Sequence, residues 1–267
     1  MPLHMIYFFV MNISKRTHPQ GFLFDMDGTL LISTKSPDQS WQEVFRQFAA
    51  TYSLFPDILL QALRESYVTY KKDIANNTEK QRRDRLDPFG VRRNLVESAL
   101  AQAGLEDPAV AIAMARAYDA LREEQLQLVP HALETLQTLR ARHKPLGLIT
   151  NGNATYQRRK MNRHYLTSYF DCIFIEEEFG AAKSDPAIYL AALEQLHVHP
   201  HETWMIGDDL AFDIATPQQL GIFTIWFDPA GRGLPEDSLV HPDQSIHVLT
   251  ELLELDGEGA SQSDTAG

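Results

Sequence analysis

Two kinds of hydrophobic periodicity divide the chain. Short apolar runs alternate with amphipathic helical patterns over residues 130–254, and one further apolar run lies close to the N-terminus. These runs predict five strands, at residues 21–24, 146–150, 171–175, 203–207 and 223–226. Because strands that alternate with helices pack as a parallel sheet between two helical layers, we expect a doubly wound, five-stranded α/β core.

The stretch between the first and second predicted strands carries only the helical pattern. Apolar residues at helical spacing predict four amphipathic helices within residues 34–129. This arrangement predicts a helical domain inserted into an α/β core that consists of residues 21–33 and 130–254. We expect an N-terminal extension at residues 1–20 and a disordered tail at residues 255–267, which are rich in Gly, Ser and Asp.

The composition limits the kinds of partner that the protein can bind. A formal net charge of −12 argues against a nucleic-acid backbone or an anionic membrane as the main partner. The apolar segment at residues 5–11 is too short to span a bilayer. The single cysteine, Cys172, excludes an internal disulfide and a cysteine-built zinc site. We therefore expect a cytoplasmic protein, monomeric or homodimeric, whose partner is a small molecule.

Two carboxylates follow the first predicted strand directly. Asp25 and Asp27 are two positions apart, so they leave the carboxyl end of the strand on the same side. In open α/β sheets this end faces the crevice in which ligands bind. Gly28 permits a turn with positive φ, and Thr29 can cap the segment that follows. An acidic turn is the plainer interpretation, but two acids that repel each other favour a site for a cation or a proton.

Three further polar groups follow later parts of the predicted sheet. They are Thr150 and Asn151 after the second strand, Lys183 in a loop before a helix, and Asp208, Asp209 and Asp213 after the fourth strand. Taken singly, such groups are most often a turn, a solvated lysine and a helix cap. Taken together, they bring hydroxyl, amide, ammonium and carboxylate groups to one edge of the sheet. Carboxylates beside an ammonium suit Mg²⁺ bound next to a phosphate group.

In this order the motifs resemble those of the haloacid dehalogenase superfamily, over residues 21–253. The matching positions are Asp25-Met-Asp-Gly-Thr, Thr150, Lys183 and Gly207-Asp-Asp with Asp213. The helical insert looks like the cap domain of that superfamily. The segment from Ile149 to Arg158 is similar to a branch of phosphatases that act on pyrimidine nucleotides, sialic acid phosphate or flavin mononucleotide. Ser184 stands where the family usually has proline, a change that leaves the neighbouring lysine in place.

The resemblance implies a fold, a reaction and a role for each motif. The fold would be a Rossmann-like core with a helical cap, and the reaction would be hydrolysis of a phosphate monoester through an aspartyl-phosphate intermediate. Asp25 would be the nucleophile, and Asp27 the general acid and base. Thr150, Asn151 and Lys183 would bind the phosphoryl group. Mg²⁺ would be bound by Asp25, by Asp208 and by the backbone carbonyl of Asp27. Asp209 and Asp213 would support these ligands.

Several activities are consistent with these motifs. A phosphomutase of the same superfamily would share them but exclude water and retain the phosphate. A haloacid dehalogenase agrees less well, since that branch lacks the second acid that Asp27 supplies. A non-catalytic binding module would be expected to have lost Asp25 or Asp27, and both are present. The leading hypothesis is a magnesium-dependent phosphomonoesterase acting on a small metabolite, such as a nucleotide, a sugar phosphate or flavin mononucleotide.

Two basic runs each have an ordinary and a functional interpretation. Residues 79–93 hold six basic and three acidic side chains, a net charge of +3 in an acidic protein. Arg92 and Arg93 in this run are candidates for contacts to a second anionic group of the substrate, although a solvated helix surface is the commoner arrangement. For Arg158, Arg159 and Lys160 we expect a solvated surface.

Overall fold

Six parallel strands form the central sheet of the computed structural model, which describes residues 18–257. In chain order its strands are β1 Gly21–Phe24, β2 Leu31–Ser33, β3 Leu126–Leu128, β4 Leu146–Thr150, β5 Cys172–Ile175, β6 Thr203–Gly207, β7 Phe223–Phe227 and β8 Gln244–Ile246. The sheet has the order β5–β4–β1–β6–β7–β8, while β2 and β3 pair with each other. The expected doubly wound α/β core is confirmed, with one strand more than predicted. The pattern misses β8 because two of its three residues are polar.

Strand β1 lies in the middle of the sheet, between β4 and β6, and its four residues are buried. The ring of Phe22 packs edge-on against that of Trp204, with 5.6 Å between the centroids. Phe24, the last residue of β1, is paired with Leu148 on one side and Ile206 on the other. The carboxyl ends of β1, β4 and β6 therefore lie side by side, and the residues that follow these strands share one edge of the sheet.

The helices fall into two groups along the described part of the chain. Helices α1 to α5 follow one another between β2 and β3, and α6 to α11 alternate with the strands of the sheet. In chain order they are α1 Pro37–Tyr52, α2 Pro56–Ile74, α3 Thr78–Leu86, α4 Pro88–Gln102, α5 Pro108–Glu124, α6 Ala132–Ala141, α7 Ala154–Arg163, α8 Glu176–Phe179, α9 Pro186–Leu196, α10 Thr216–Gln219 and α11 Glu251–Leu255. The prediction of four helices in the insert misses α3, which is almost entirely polar and has no buried residue.

The predicted helix at residues 209–220 is not a regular helix. A π-helical turn, Leu210–Ala215, is followed there by the single turn of α10. Pro217 lies at the start of α10 and has no backbone N–H to donate to residue 213. The periodicity of the apolar residues does not reveal this interruption, so the prediction of a continuous helix is wrong.

The described residues divide into two compact units, one of residues 33–127 and one of residues 18–32 together with residues 128–257. The helical unit has a hydrophobic core of its own, in which the rings of Trp41 and Tyr118 stack with their centroids 4.0 Å apart. The α/β unit has a separate core between the sheet and α9, which includes Leu23, Tyr189 and Met205. Each unit therefore has its own hydrophobic core, as expected of a domain.

The ends of the described chain are fixed to the α/β unit. Lys144 is buried and donates a hydrogen bond of 2.9 Å to the carbonyl of Pro19. Asp256 is fully buried and forms an ion pair of 2.9 Å with Arg142. The expected disordered tail therefore does not begin at residue 255 or 256, because helix α11 and this buried ion pair hold both positions. Residues 258–267 of the predicted tail lie outside the described residues. The same is true of residues 1–17, which make up most of the predicted N-terminal extension.

Two further properties of the described chain concern membrane-spanning helices and the reactivity of its cysteine. Within residues 18–257, no helix is both long and apolar enough to cross a lipid bilayer. Cys172 is buried in β5, and burial raises the pKa of its thiol to about 12, which keeps it protonated and unreactive. It therefore behaves as a small apolar residue of the core.

Candidate active site

Asp25 lies at the centre of the polar edge of the sheet. It follows β1 directly, and its backbone N–H donates a hydrogen bond of 2.9 Å to the carbonyl of Ile206 in β6. The side chain is buried, and one carboxylate oxygen, Oδ1, accepts a hydrogen bond from Nζ of Lys183. The other oxygen, Oδ2, is also buried but has no hydrogen-bond partner among residues 18–257. A buried carboxylate oxygen without a partner is free to bind a ligand or attack one.

Lys183 joins Asp25 to a second buried carboxylate. Its ammonium group is 2.7 Å from Oδ1 of Asp213, and neither side chain is more than 3% exposed. Burial alone would lower the pKa of this lysine, but the charges of Asp213 and Asp25 outweigh burial and raise the pKa above its usual range. Lys183 is therefore a fixed positive charge inside the site.

Asp208 completes a cluster of three carboxylates. Carboxylate oxygens of Asp25, Asp208 and Asp213 all lie within 4.8 Å of one another, with Asp208 at the exposed side. One ammonium faces three carboxylates, so the cluster retains two uncompensated negative charges when all are ionised. Burial first, and then the charge of Asp25, raise the pKa values of Asp208 and Asp213 to about 7. A divalent cation bound here would neutralise the excess charge, and oxygen ligands are those that Mg²⁺ prefers.

Two glycines allow the cluster to form. Gly28 has φ of +99°, and a Cβ atom at this position would lie 2.3 Å from the carboxylate of Asp208. A Cβ atom at Gly207 would lie 2.3 Å from the side chain of Asp213. The glycine before Asp208 and the glycine after Asp27 thus leave the space that the acidic side chains occupy. Both glycines belong to the motifs singled out in the sequence.

The structure brings together the two residues that are predicted to bind the metal through their side chains. The side chains of Asp25 and Asp208 are in the cluster, and Asp213, expected in a supporting role, is there as well. The carboxylate of Asp27 is turned toward helix α7, and metal binding by its backbone carbonyl stays a prediction. Asp209 supports the turn that follows β6: its Oδ1 accepts the N–H groups of residues 211 and 212 at 2.8 and 3.0 Å. Its own N–H donates to Oδ2 of Asp213 at 3.1 Å.

Thr150 and Asn151 lie at the end of β4, beside β1. The hydroxyl of Thr150 is buried, and Oδ1 of Asn151 accepts a hydrogen bond of 2.8 Å from the backbone N–H of Lys183. This bond fixes the lysine loop relative to the loop after β4. A glutamate missed in the sequence, Glu176, is fully buried and accepts the N–H of Gly152 at 3.0 Å. Because Glu176 follows β5 directly, the rule that points to Asp25 would have found it.

The carboxylate of Asp27 accepts hydrogen bonds from two side chains of helix α7. Both of its carboxylate oxygens accept hydrogen bonds from Nζ of Lys160, at 2.7 and 2.8 Å. Gln157, one turn earlier in α7, donates a bond of 2.8 Å to Oδ2 of the same carboxylate. The expectation of a solvated surface is wrong for Lys160, which turns inward to this acid. It agrees with the structure for Arg158, which forms a half-exposed ion pair with Glu178.

The two arginines that were candidates for substrate contacts have partners inside the helical unit. Arg92 forms an ion pair of 2.6 Å with Asp119, and its guanidinium lies 5.9 Å from the centre of the Tyr118 ring. Arg93 lies 3.9 Å from the carboxylate of Glu97, one turn further along α4. Arg92 therefore links α4 to α5, whereas Arg93 belongs to an exposed pair within α4.

With this geometry established, a family assignment follows from comparison with known proteins. The model of the haloacid dehalogenase-like hydrolases matches residues 19–221, which is most of the chain. The chain belongs to this family. The resemblance seen in the motifs is thereby confirmed.

Individual relatives have related but different activities. Ribulose-1,5-bisphosphate 5-phosphatase from Halopiger xanaduensis is 34% identical over 57% of this chain and 66% of its own length. A glyceraldehyde 3-phosphate phosphatase from Methanocaldococcus jannaschii is 26% identical over 88% of this chain and 96% of its own length. Among solved structures, a 2-haloacid dehalogenase from Pseudomonas syringae superposes with a TM-score of 0.59 and 29% identity, covering 88% of this chain and 96% of the dehalogenase. The chain spans less than two thirds of the first relatives that it matches.

Proposed function

We propose that the protein is a magnesium-dependent phosphomonoesterase that hydrolyses a small phosphorylated metabolite through an aspartyl-phosphate intermediate. The observation that carries the proposal is the environment of Asp25. Its Oδ2 is buried and unpartnered, its Oδ1 is bound to a buried ammonium, and a second acid follows two residues later. This arrangement supports a role for Asp25 as nucleophile, for Lys183 as the charge that offsets the phosphate, and for Asp27 as proton carrier.

The proposed reaction has two steps. In the first, a carboxylate oxygen of Asp25 bonds to phosphorus while the bond from phosphorus to the leaving oxygen breaks, and Asp27 gives a proton to that oxygen. In the second, water attacks phosphorus, Asp27 takes a proton from the water, and the bond to Asp25 breaks. Inorganic phosphate leaves, Asp25 is again a carboxylate, and Asp27 is again the protonated acid with which the cycle began.

The remaining residues bind the phosphoryl group and screen its charge. We assign this role to Lys183, Thr150 and Asn151. Thr150 and Asn151 lie at the end of β4, and Lys183 lies in the loop before α9 that is bonded to Asn151. Asp25 and Asp208 would hold Mg²⁺, together with the carbonyl of Asp27, and the ion would screen the negative charge of the phosphate. Asp213 and Asp209 would support this set through the bonds described above.

The names of two relatives support a phosphorylated sugar as the first substrate class to test. Two enzymes similar to this chain are named for a bisphosphorylated pentulose and a phosphorylated triose. Nucleotides and flavin mononucleotide are the other classes that we propose to test. We further propose that the helical unit, residues 34–129, acts as the cap over the α/β core, and that the protein works in the cytoplasm as a monomer or homodimer.

Phosphate release from a panel of esters tests the proposal. The panel includes ribulose 1,5-bisphosphate, glyceraldehyde 3-phosphate, nucleoside monophosphates, flavin mononucleotide and phosphoglycolate, each with Mg²⁺ and with a chelator. We expect release that requires the metal, and that is lost in Asp25→Asn. Absence of phosphate release from every ester by the folded, Mg²⁺-loaded protein would refute the proposal. Isomerised sugar phosphate in place of free phosphate would identify a phosphomutase.

Dehalogenation is the second candidate, because a solved structure with 29% identity is named as a 2-haloacid dehalogenase. A halide leaves without a proton, so that reaction has no need of an acid at the position of Asp27. Chloride release from 2-chloropropionate, measured beside the phosphate assay, distinguishes the two activities. We expect no chloride release under conditions that give phosphate release.

A further inference from the structure

Lys160 and Gln157 lie on the same face of helix α7. They are three residues apart, which is close to one helical turn, so both side chains project toward the carboxyl end of the sheet. Both meet Asp27 there, Lys160 at 2.7 and 2.8 Å and Gln157 at 2.8 Å. Arg158, on another face of the same helix, is turned to Glu178 instead.

Gln157 connects Asp27 to the proposed phosphate-binding loop. The side chain is buried, and its Nε2 lies 2.6 Å from the hydroxyl oxygen of Thr150 and 2.9 Å from the carbonyl oxygen of Asn151. One amide group thus contacts the second acid, the hydroxyl and the backbone of the loop. Burying a polar side chain is costly unless it is hydrogen-bonded, and these three acceptors meet that requirement.

Lys160 restrains the same carboxylate from the other direction. Its ammonium contacts both oxygens of Asp27, and the two side chains are 27% and 39% exposed. An ion pair with this exposure contributes little to stability, because water screens it. Holding a carboxylate at both of its oxygens does, however, restrict its rotation. The contact is therefore better explained by the placement of Asp27 than by the stability of the fold.

We propose that Lys160 and Gln157 are positioning residues that hold the carboxyl group of Asp27 in place for proton transfer to the leaving oxygen. The inference rests on the proposed function and names the residues on which one of its steps depends. Lys160 acts through Asp27 and does not bind the phosphoryl group. Its loss therefore impairs the step in which the ester oxygen receives a proton, and leaves the binding of the ester largely unchanged.

A comparison of two leaving groups isolates that step. An alkyl phosphate, such as a sugar phosphate, releases a strongly basic oxygen that needs a proton from Asp27. p-Nitrophenyl phosphate releases a weakly basic phenolate that needs little assistance. Because kcat/KM reports the reaction up to formation of the aspartyl-phosphate, the loss of a well-placed acid lowers kcat/KM for the alkyl ester far more than for the aryl ester.

The experiment compares Lys160→Met with Arg158→Met. Both changes remove one positive charge from α7 and break one ion pair to a carboxylate, but only the first affects Asp27. For Lys160→Met we expect kcat/KM on the best sugar phosphate of the panel to fall on the order of 100-fold. We expect KM to change less than kcat, and kcat/KM on p-nitrophenyl phosphate to fall only about threefold. Arg158→Met should match the wild type on both esters.

A second variant distinguishes positioning from a general loss of structure. The thermal unfolding transition of each variant, compared with that of the wild type, shows whether the variant is folded. Lys160→Arg can still donate to both oxygens of Asp27, and we expect it to recover part of the activity on the sugar phosphate. Equal losses of kcat/KM on both esters, or no loss on either, in a folded Lys160→Met protein would overturn the inference while the proposed function stands. If the wild type releases phosphate from neither ester, the proposed function itself fails and the inference fails with it.

Discussion

The ammonium of Lys183 lies 2.7 Å from Asp213 and also donates a hydrogen bond to Asp25, with all three side chains buried. This contact joins the loop before α9 to the turn after β6 and to the end of β1. It concentrates one positive and two negative charges in a space from which water is largely excluded. The same three residues are therefore expected to determine both local stability and the chemistry of the site.

Replacement of Lys183 by methionine should destabilise the protein strongly at neutral pH. Methionine has a similar length but no charge, so two buried carboxylates lose the ammonium that both of them contact. Removing one member of a buried ion pair costs about 3–5 kcal/mol. The free energy of unfolding, measured by urea denaturation at pH 7, should fall by about this amount, and phosphate release should be lost.

A change at the facing carboxylate provides the control. In Lys183→Met with Asp213→Asn, one uncompensated charge is removed, so part of the lost stability should return. The double variant should remain inactive, because the charge that offsets the phosphate is still missing. If the double variant is less stable than Lys183→Met alone, the ion pair is not the cause of the destabilisation.

The metal-free protein should lose stability as the pH rises from about 4 to 7. Burial raises the pKa values of Asp208 and Asp213 from 3.8 to about 7 in the folded state, so the folded protein keeps protons that the unfolded chain has already released. Stability falls with pH wherever the folded state binds more protons. Because Asp208 is exposed to solvent, we expect Asp213 to contribute the larger share. The unfolding free energy at pH 5 and pH 7, measured with a chelator, tests this.

Mg²⁺ should stabilise the protein more at pH 8 than at pH 6. Protons compete with the cation for the carboxylates, and this competition ends once the pH exceeds their raised pKa values. The rise in melting temperature on addition of Mg²⁺ is the measurement. Asp208→Asn removes one carboxylate at the exposed side and should reduce this rise at pH 8. An equal rise at both pH values, or in both proteins, would contradict a cation site at this cluster.

The strands and the residues that follow them could be predicted from the sequence because both depend on local pattern. β1, β4 and β6 are short, buried and apolar, and their order in a parallel sheet brings their carboxyl ends together. Applied to the sequence alone, that rule points to Asp25, Thr150 and Asp208. The same rule points to Glu176, which follows β5 directly and which the sequence analysis did not single out.

The contacts of α7 could not be predicted in the same way. Whether Lys160 meets solvent or Asp27 depends on the rotation of the helix about its axis, and α7 has too few apolar residues to fix that rotation. Its buried side chains are Gln157 and Met161, one turn apart, and Lys160 lies next to them. Because glutamine is polar, the sequence alone does not mark position 157 as part of the core. The packing of the helix on the sheet, rather than local propensity, determines this part of the site.

Asp256→Ala should destabilise the α/β unit, although Asp256 stands in a segment with the composition of a disordered tail. Its carboxylate is fully buried and pairs with Arg142 at 2.9 Å, and Lys144 lies 3.6 Å away. Since Arg142 is 18% exposed, we expect a loss near the lower end for buried pairs, about 3 kcal/mol. Glu178→Ala breaks a half-exposed ion pair and should cost less than about 1 kcal/mol. Urea denaturation distinguishes the two variants, and equal stabilities would show that the buried pair contributes nothing.

Gly28→Ala should weaken metal binding far more than it weakens the fold. Gly28 and Gly221 both have positive φ, +99° and +82°, so alanine at either position costs about 1–2 kcal/mol of backbone strain. Only at Gly28 would the new Cβ atom meet another group, the carboxylate of Asp208 at 2.3 Å, whereas nothing lies within 4 Å at Gly221. The displaced carboxylate should lower the affinity for Mg²⁺ on the order of tenfold or more, measured by titration calorimetry. If Gly221→Ala lowers the affinity equally, backbone strain and not the displacement of Asp208 is responsible.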